Sequence, residues 1–205
     1  MCGIFAVCHY GNVERFDMEK ARQLSKRQAH RGPDFSGYYC DKSTGNILCH
    51  ERLAIMDLGI AQPITGTLQD HQVVHNGEIY NHENLRRNEL KEMQLRTNCD
   101  SEVIIFMYEK FRDGFMCNIL DGVFAFALCY EGEFLAARDP LGVKQMYYGK
   151  DKLGRYFFRT LVYCPSIMSS MAKLNGKGPA AAPCPTPVTT SNGVVHGVQT
   201  ATVVR

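Results

Sequence analysis

Long apolar runs are missing from this sequence of 205 residues. No stretch approaches the roughly 18 apolar residues that a membrane-spanning helix requires, and no basic segment followed by an apolar one opens the chain. We therefore expect neither membrane insertion nor secretion, and a cytoplasmic protein. An excess of one charge is missing too, because 23 Lys and Arg stand against 21 Asp and Glu. The basic residues are scattered, so no nucleic-acid partner is expected.

The nine cysteines lack the patterns that would give them a shared structural role. Their number is odd, and no two have the C-x-x-C spacing of zinc or redox sites. The histidines also show no ligand spacing on one helix, so no metal site is expected. Cys8, Cys117 and Cys129 lie in apolar stretches and are predicted to be buried thiols. Cys2 is the exception.

The hydrophobic pattern predicts an α+β fold with antiparallel sheets, because strands and helices segregate along the chain instead of alternating. Strands are predicted at 2–10, 35–40, 46–50, 72–75, 123–130, 133–137, 147–148 and 155–158, and helices at 17–29, 81–91 and 101–112. Asn76-Gly77 is expected to stop its strand, and Asn81 and Asp100 to cap their helices. After Phe158 the periodic pattern fades into a segment rich in Pro, Ala and Thr, which predicts a disordered tail over 159–205.

Cys2 follows the initiator Met and is small, so removal of Met1 by an aminopeptidase is expected. The mature chain would then carry a thiol and a free α-amine on one residue. An α-amino group has a pKa of about 7.7 to 8.0, so near neutral pH a useful fraction can accept the thiol proton. This is the arrangement of an N-terminal nucleophile, in which the amine replaces the histidine of a triad. A cysteine at position 2 is weak evidence alone.

Further motifs follow in a characteristic order. They are Met1-Cys2-Gly3-Ile4, His30-Arg31-Gly32-Pro33-Asp34, His50-Glu51-Arg52-Leu53-Ala54-Ile55, Asn76-Gly77-Glu78-Ile79-Tyr80-Asn81-His82, Cys99-Asp100-Ser101-Glu102 and Arg138-Asp139-Pro140-Leu141-Gly142. Together they closely resemble the class II glutamine amidotransferase domain of glutamine-hydrolysing asparagine synthetases. The resemblance implies an αββα sandwich of the N-terminal-nucleophile hydrolase type, spanning residues 2–158 and incomplete at its C-terminal end.

The resemblance also implies the residues of a glutamine site. Cys2 is the nucleophile, and Asn76 and Gly77 form the oxyanion hole, since acyl transfer from an amide needs preorganised donors. Glutamine itself is held by Arg52 at its carboxylate, by Asp100 and the carbonyl of Glu78 at its ammonium, and by Ile55, Asn76 and Gly77. Arg31 and Asp34 are expected to shape the pocket wall.

The resemblance stops where the family's second domain would begin. That domain uses ATP and Mg²⁺ to amidate aspartate, and its Ser-Gly-Gly-x-Asp-Ser loop is absent from this sequence. We expect a truncated chain that holds the glutaminase half and needs no cofactor for glutamine hydrolysis. Besides L-glutamine, full-length asparagine synthetase or a homodimer partner is a candidate for association.

Two alternatives stay open at this point. The first is an inactive remnant, or a fragment that only binds complete subunits, because the last strands of the domain are expected to be missing and an unpaired sheet edge invites aggregation. The second is an N-terminal nucleophile hydrolase for some other amide, although it gives no reason for Arg52 and Asp100 to be present.

Overall fold

The computed structural model describes residues 1–11, 13–54, 60–160, 197–198 and 201–204, which form two antiparallel sheets and three α-helices. The strands are β1 (Gly3–Cys8), β2 (Phe35–Cys40), β3 (Ile47–Arg52), β4 (Ile64–Thr65), β5 (Gln72–Ile79), β6 (Gly122–Tyr130), β7 (Glu133–Arg138), β8 (Tyr147–Lys150), β9 (Tyr156–Arg159), β10 (Gly197–Val198) and β11 (Ala201–Val204). The helices are α1 (Met18–Lys26), α2 (His82–Asn88) and α3 (Glu102–Phe111). No helix among these described residues is long and apolar enough to span a bilayer.

The two sheets lie face to face between helical layers. The first has the order β2-β3-β1-β9-β8 and the second the order β10-β11-β7-β6-β5-β4. Alternate residues of β1 face opposite sides, as a strand requires. Ile4 and Ala6 pack between the sheets, whereas Phe5 and Val7 pack on the outer side with residues of α1. The outer side of the second sheet packs against α3. The predicted αββα sandwich is confirmed.

Helix α3 is buried almost all round, as its apolar sequence predicts. Every residue from Val103 to Tyr108 is buried. Helix α1 instead presents only one apolar side to the first sheet, through Ala21 and Leu24. Its N-cap is Asp17, whose side chain accepts a hydrogen bond from the backbone N–H of Lys20 at 2.7 Å. This contact satisfies one of the free N–H groups at the start of the helix.

Strand β5 is longer than predicted. It does not stop at Asn76-Gly77 but continues to Ile79, and every residue of β5 has a partner on β6. Gly77 has a φ of 149°, and a β-carbon there would lie 2.0 Å from the carbonyl oxygen of Val123. The glycine is needed for this close approach to β6, and not for a hairpin turn.

One of the two predicted helix caps lies at the N-cap position, and neither caps its helix with its side chain. Asn81 is the N-cap of α2 without capping it, because its amide bonds the backbone of Ile119 and Asp121. The N-cap of α3 is Ser101 and not Asp100. The carboxylate of Asp100 instead accepts the backbone N–H of Ile79 at 2.8 Å, so it connects the start of α3 to the end of β5.

The described positions after Phe158 belong to the two sheets or hydrogen-bond to them. Arg159 belongs to β9, and Thr160 exchanges hydrogen bonds with Ile4 on β1. Further on, β11 pairs antiparallel with β7 and β10 pairs with β11. Strand β7 therefore has a backbone partner on each side, β6 and β11. The rest of the predicted tail, at 161–196, 199–200 and 205, lies outside the described residues.

Candidate active site

The predicted nucleophile lies at one end of the space between the sheets. Cys2 directly precedes β1, and its backbone nitrogen donates a hydrogen bond to the side-chain oxygen of Asn76 on β5, with a distance of 3.0 Å. This contact joins the first sheet to the second. Asn76 is buried, with 3% of its surface exposed, whereas Cys2 is partly exposed. A group that enters from solvent can therefore reach the thiol.

The sulfur of Cys2 also contacts the end of β3. The backbone N–H of Leu53 lies 3.5 Å from Sγ, and the carbonyl oxygen of Leu53 lies 3.8 Å from it. The N–H of Leu53 therefore donates to the sulfur and fixes its position against the end of β3. Leu53 was not among the predicted site residues. Contacts made by backbone groups depend on how the strands align and not on the type of residue, so they cannot be predicted from the sequence of residue types.

The three cysteines predicted to be buried differ from Cys2. Cys8, Cys117 and Cys129 are buried, as predicted. Burial raises the pKa of the Cys8 thiol to about 12 and that of Cys129 well above its usual value. A thiol that stays protonated is a poor nucleophile, so these residues serve packing.

Two residues of the predicted pocket wall lie beside the nucleophile. The guanidinium of Arg31 donates to the carbonyl oxygen of Thr160 at 2.8 Å and reaches the sulfur of Met1 at 3.7 Å. Burial lowers the pKa of Arg31, and the nearby thiol of Cys2 opposes this shift. Asp34 accepts the backbone N–H of Ala54 at 2.7 Å. These contacts hold the loops on both sides of Cys2.

The predicted glutamine-binding residues lie on three neighbouring elements. Arg52 ends β3 and is buried, Gly77 and Glu78 follow Asn76 on β5, and Asp100 precedes α3. The side chain of Glu78 is exposed, so a contact through its backbone carbonyl is the one compatible with a pocket. Ile55 was also predicted to bind glutamine and lies outside the described residues. The roles of these residues stay predictions.

Two buried histidines stand behind the site, and the sequence did not single them out. The ring Nε2 of His50 lies 3.0 Å from the carbonyl oxygen of His75, the residue before Asn76. Because a carbonyl only accepts, His50 carries its proton on Nε2. Burial lowers the pKa of His50 to about 3 and that of His75 to about 4. Both rings are neutral at neutral pH, and His50 joins β3 to β5 at the residue before Asn76.

This pair makes stability depend on pH. Each histidine has a lower pKa in the folded chain than its ordinary value near 6.5, so the unfolded chain binds more protons and folding weakens as pH falls below about 6.5. At about pH 5, each is expected to cost roughly 2 kcal/mol of unfolding free energy relative to neutral pH. We expect His50→Gln, which keeps a donor for the carbonyl, to remove about half of this loss. Urea unfolding at pH 7 and pH 5 measures it, and an equal loss in both proteins would contradict the assignment.

An αββα sandwich with a cysteine directly before β1, where the two sheets meet, has the architecture of the N-terminal nucleophile hydrolases. More narrowly, the chain belongs to the glutamine amidotransferase domain family, whose model matches residues 1–173.

The sequence is also similar to curated asparagine synthetases. It is 43% identical over 163 residues to asparagine synthetase [glutamine-hydrolyzing] 3 of Arabidopsis thaliana, covering 77% of this chain and 27% of that protein. It is 45% identical over 153 residues to asparagine synthetase [glutamine-hydrolyzing] 1 of Saccharomyces cerevisiae, covering 73% and 26%. For asparagine synthetase B of Escherichia coli the identity is 40% over 161 residues, covering 77% and 28%. The chain thus spans about a quarter of the length of these relatives.

Solved structures support the fold. The chain resembles glutamine phosphoribosylpyrophosphate amidotransferase from B. subtilis with a TM-score of 0.61 and 17% identity. The match covers 86% of this chain and 44% of that one. At this identity the similarity concerns the fold alone, and it agrees with the sandwich described above.

Proposed function

We propose that this chain, after removal of Met1, hydrolyses the side-chain amide of glutamine to glutamate and ammonia. The contact between the nitrogen of Cys2 and the side-chain oxygen of Asn76 carries the proposal. Removal of Met1 would turn this nitrogen into the α-amine that a nucleophilic cysteine needs as its base. Asn76 already holds that nitrogen beside the thiol.

The proposed reaction begins when the α-amine of Cys2 takes the thiol proton, and the thiolate attacks the amide carbon. The side-chain oxygen of Asn76 accepts a hydrogen bond from the Cys2 nitrogen. The side-chain NH₂ of Asn76 therefore remains available to donate to the oxyanion, together with the backbone N–H of Gly77. Collapse of the intermediate passes the proton to the leaving nitrogen, and ammonia departs. Water then hydrolyses the glutamyl thioester, which restores Cys2.

Charge complementarity supports glutamine over other amides. Arg52 offers a guanidinium to the α-carboxylate, and Asp100 offers a carboxylate to the α-ammonium, with the carbonyl of Glu78 beside it. Leu53 follows Arg52 directly and contacts Cys2, and Asp100 bonds the residue after Glu78. Both ends of the proposed substrate site are therefore tied to the nucleophile by a short length of backbone.

The fate of the ammonia is a further part of the proposal. The relatives are named as glutamine-hydrolysing asparagine synthetases, so we infer that the ammonia serves to amidate aspartate in a synthetase of which residues 2–158 form the glutaminase unit. ATP and Mg²⁺ would be needed only for that second reaction. Full-length synthetase or a second copy of this chain would be the partner that receives or stabilises the unit.

Ammonia release with three amides tests the proposal. We expect a chain whose intact mass shows loss of Met1 to hydrolyse glutamine roughly 10- to 100-fold more efficiently than two analogues. Glutaramate lacks the α-amine and 4-aminobutanamide lacks the α-carboxylate, and each lost charged contact is worth about 1.5 to 3 kcal/mol. A processed, folded chain that releases no ammonia would instead favour the inactive remnant. Equal rates with all three amides would favour a hydrolase for another substrate.

A further inference from the structure

We propose that Ser101 and His75 are positioning residues that orient Asp100 toward the α-ammonium group of the substrate. This inference rests on the proposed function and names two residues that no motif argument selects for substrate recognition. Neither would touch the substrate, and both would act through the carboxylate of Asp100.

The carboxylate of Asp100 is held from two sides. One oxygen accepts the backbone N–H of Ile79 at 2.8 Å. The other accepts the hydroxyl of Ser101 at 3.4 Å and the thiol of Cys99 at 3.5 Å. Ile79 belongs to the strand that carries Asn76, so this arrangement fixes the acidic group relative to the oxyanion donor.

Ser101 is placed where a serine normally caps a helix, yet its side chain makes no capping hydrogen bond with α3. A serine at the N-cap usually accepts a backbone N–H of the first turn. Here the hydroxyl is buried, with 4% exposed, and lies 2.7 Å from the Nδ1 of His75. The hydroxyl therefore does not stabilise the start of the helix, and it contacts His75 and Asp100 instead.

The direction of the hydrogen bonds follows from chemistry. The hydroxyl of Ser101 donates its one hydrogen to Asp100, so it must accept the hydrogen of Nδ1 from His75. The Nε2 of His75 has no hydrogen-bond partner within the described part of the chain. His75 is therefore a neutral ring with its hydrogen on Nδ1, and it fixes the hydroxyl so that it points at the carboxylate.

The chain of contacts links both ends of the proposed site. The backbone carbonyl of His75 accepts a hydrogen bond from the ring of His50 on the other sheet. The ring of His75 contacts the hydroxyl of Ser101, and that hydroxyl contacts the carboxylate of Asp100. The residue after His75, Asn76, holds Cys2. Strand β5 thus positions Cys2 through Asn76 and the carboxylate of Asp100 through His75 and Ser101. Loss of the contact between His75 and Ser101, or between Ser101 and Asp100, should therefore weaken recognition of the ammonium group specifically.

Calorimetric binding of glutamine and glutaramate to the full chain with Cys2→Ala tests this role without turnover. Adding Ser101→Ala is expected to raise the Kd for glutamine roughly tenfold, because a hydrogen bond to a charged group is lost. The Kd for glutaramate should stay within about twofold, because glutaramate has no ammonium group for Asp100 to bind. Ser101→Thr keeps the hydroxyl and should restore glutamine binding.

A second pair of variants covers the case in which Ser101→Ala does not fold. His75→Asn retains a donor at the position of Nδ1 and should preserve the preference for glutamine, whereas His75→Leu should lose it. Equal weakening of both ligands, or no weakening of either, would overturn the positioning role. Failure of the proposed function would be visible separately, as absence of ammonia release from the unmodified chain.

Discussion

Cys2→Ala is expected to abolish ammonia release from glutamine, with a loss in kcat of at least about 10³-fold. The substitution removes the sulfur that would form the thioester but keeps the backbone nitrogen that Asn76 accepts. Alanine is small enough to allow removal of Met1, so the free α-amine should remain. The loss would therefore belong to the nucleophile and not to the N-terminus. Continuous measurement of ammonia from the purified variant checks this.

Two further proteins separate the thiol from the amine. An uncleavable extension before Met1 leaves Cys2 intact but keeps its nitrogen in a peptide bond, and it should be as inactive as Cys2→Ala because the base is missing. Cys40→Ala is the matched control, since Cys40 is an exposed cysteine away from the site. It should retain full activity. Substantial hydrolysis by either the extended chain or Cys2→Ala would refute the assignment of Cys2.

Changes at Asn76 are expected to have the second-largest effect. Asn76→Ala removes both the acceptor for the Cys2 nitrogen and the NH₂ donor, and kcat should fall about 10²- to 10³-fold, as for loss of one oxyanion donor. Because the donor acts mainly on the developing charge, KM should change much less. Steady-state kinetics with glutamine, alongside a thermal unfolding curve for each variant, provide the measurement.

Asn76→Asp distinguishes the two roles of this side chain. Aspartate keeps an oxygen for the Cys2 nitrogen, so the N-terminus should stay in place, but it brings a carboxylate where the oxyanion would form. We expect kcat to fall as far as in Asn76→Ala. If Asn76→Asp instead retained most of the activity, the side chain would serve only to hold Cys2, and the oxyanion donor would have to be found elsewhere.

Most of the secondary structure could be predicted because periodicity is a local property. The buried helix α3, the hairpin of β6 and β7 and the strand β1 all follow from the spacing of apolar residues. The errors arose where tertiary contacts override local preference. Asn76-Gly77 has the composition of a turn, yet pairing with β6 along its whole length keeps β5 extended to Ile79.

The predicted site residues divide in the same way. Residue type and motif order predicted Cys2, Asn76, Arg52 and Asp100, because the proposed chemistry calls for a thiol, an amide, a cation and an acid. Leu53 and Ser101 escaped selection, since one contributes backbone groups and the other has the ordinary appearance of a cap. Their contacts with Cys2 and His75 join residues that are distant along the chain.

The sequence by itself determined the class of this protein, through a cysteine at position 2, ordered motifs and the alternation that builds two sheets. Only the tertiary structure decided which groups meet. The contact of Cys2 with Asn76 joins residues 74 positions apart, and that of His75 with Ser101 joins residues 26 apart. The first contact requires the two sheets to be aligned, and the second requires α3 to be packed on the second sheet. That alignment comes from packing of the whole core and not from any local preference.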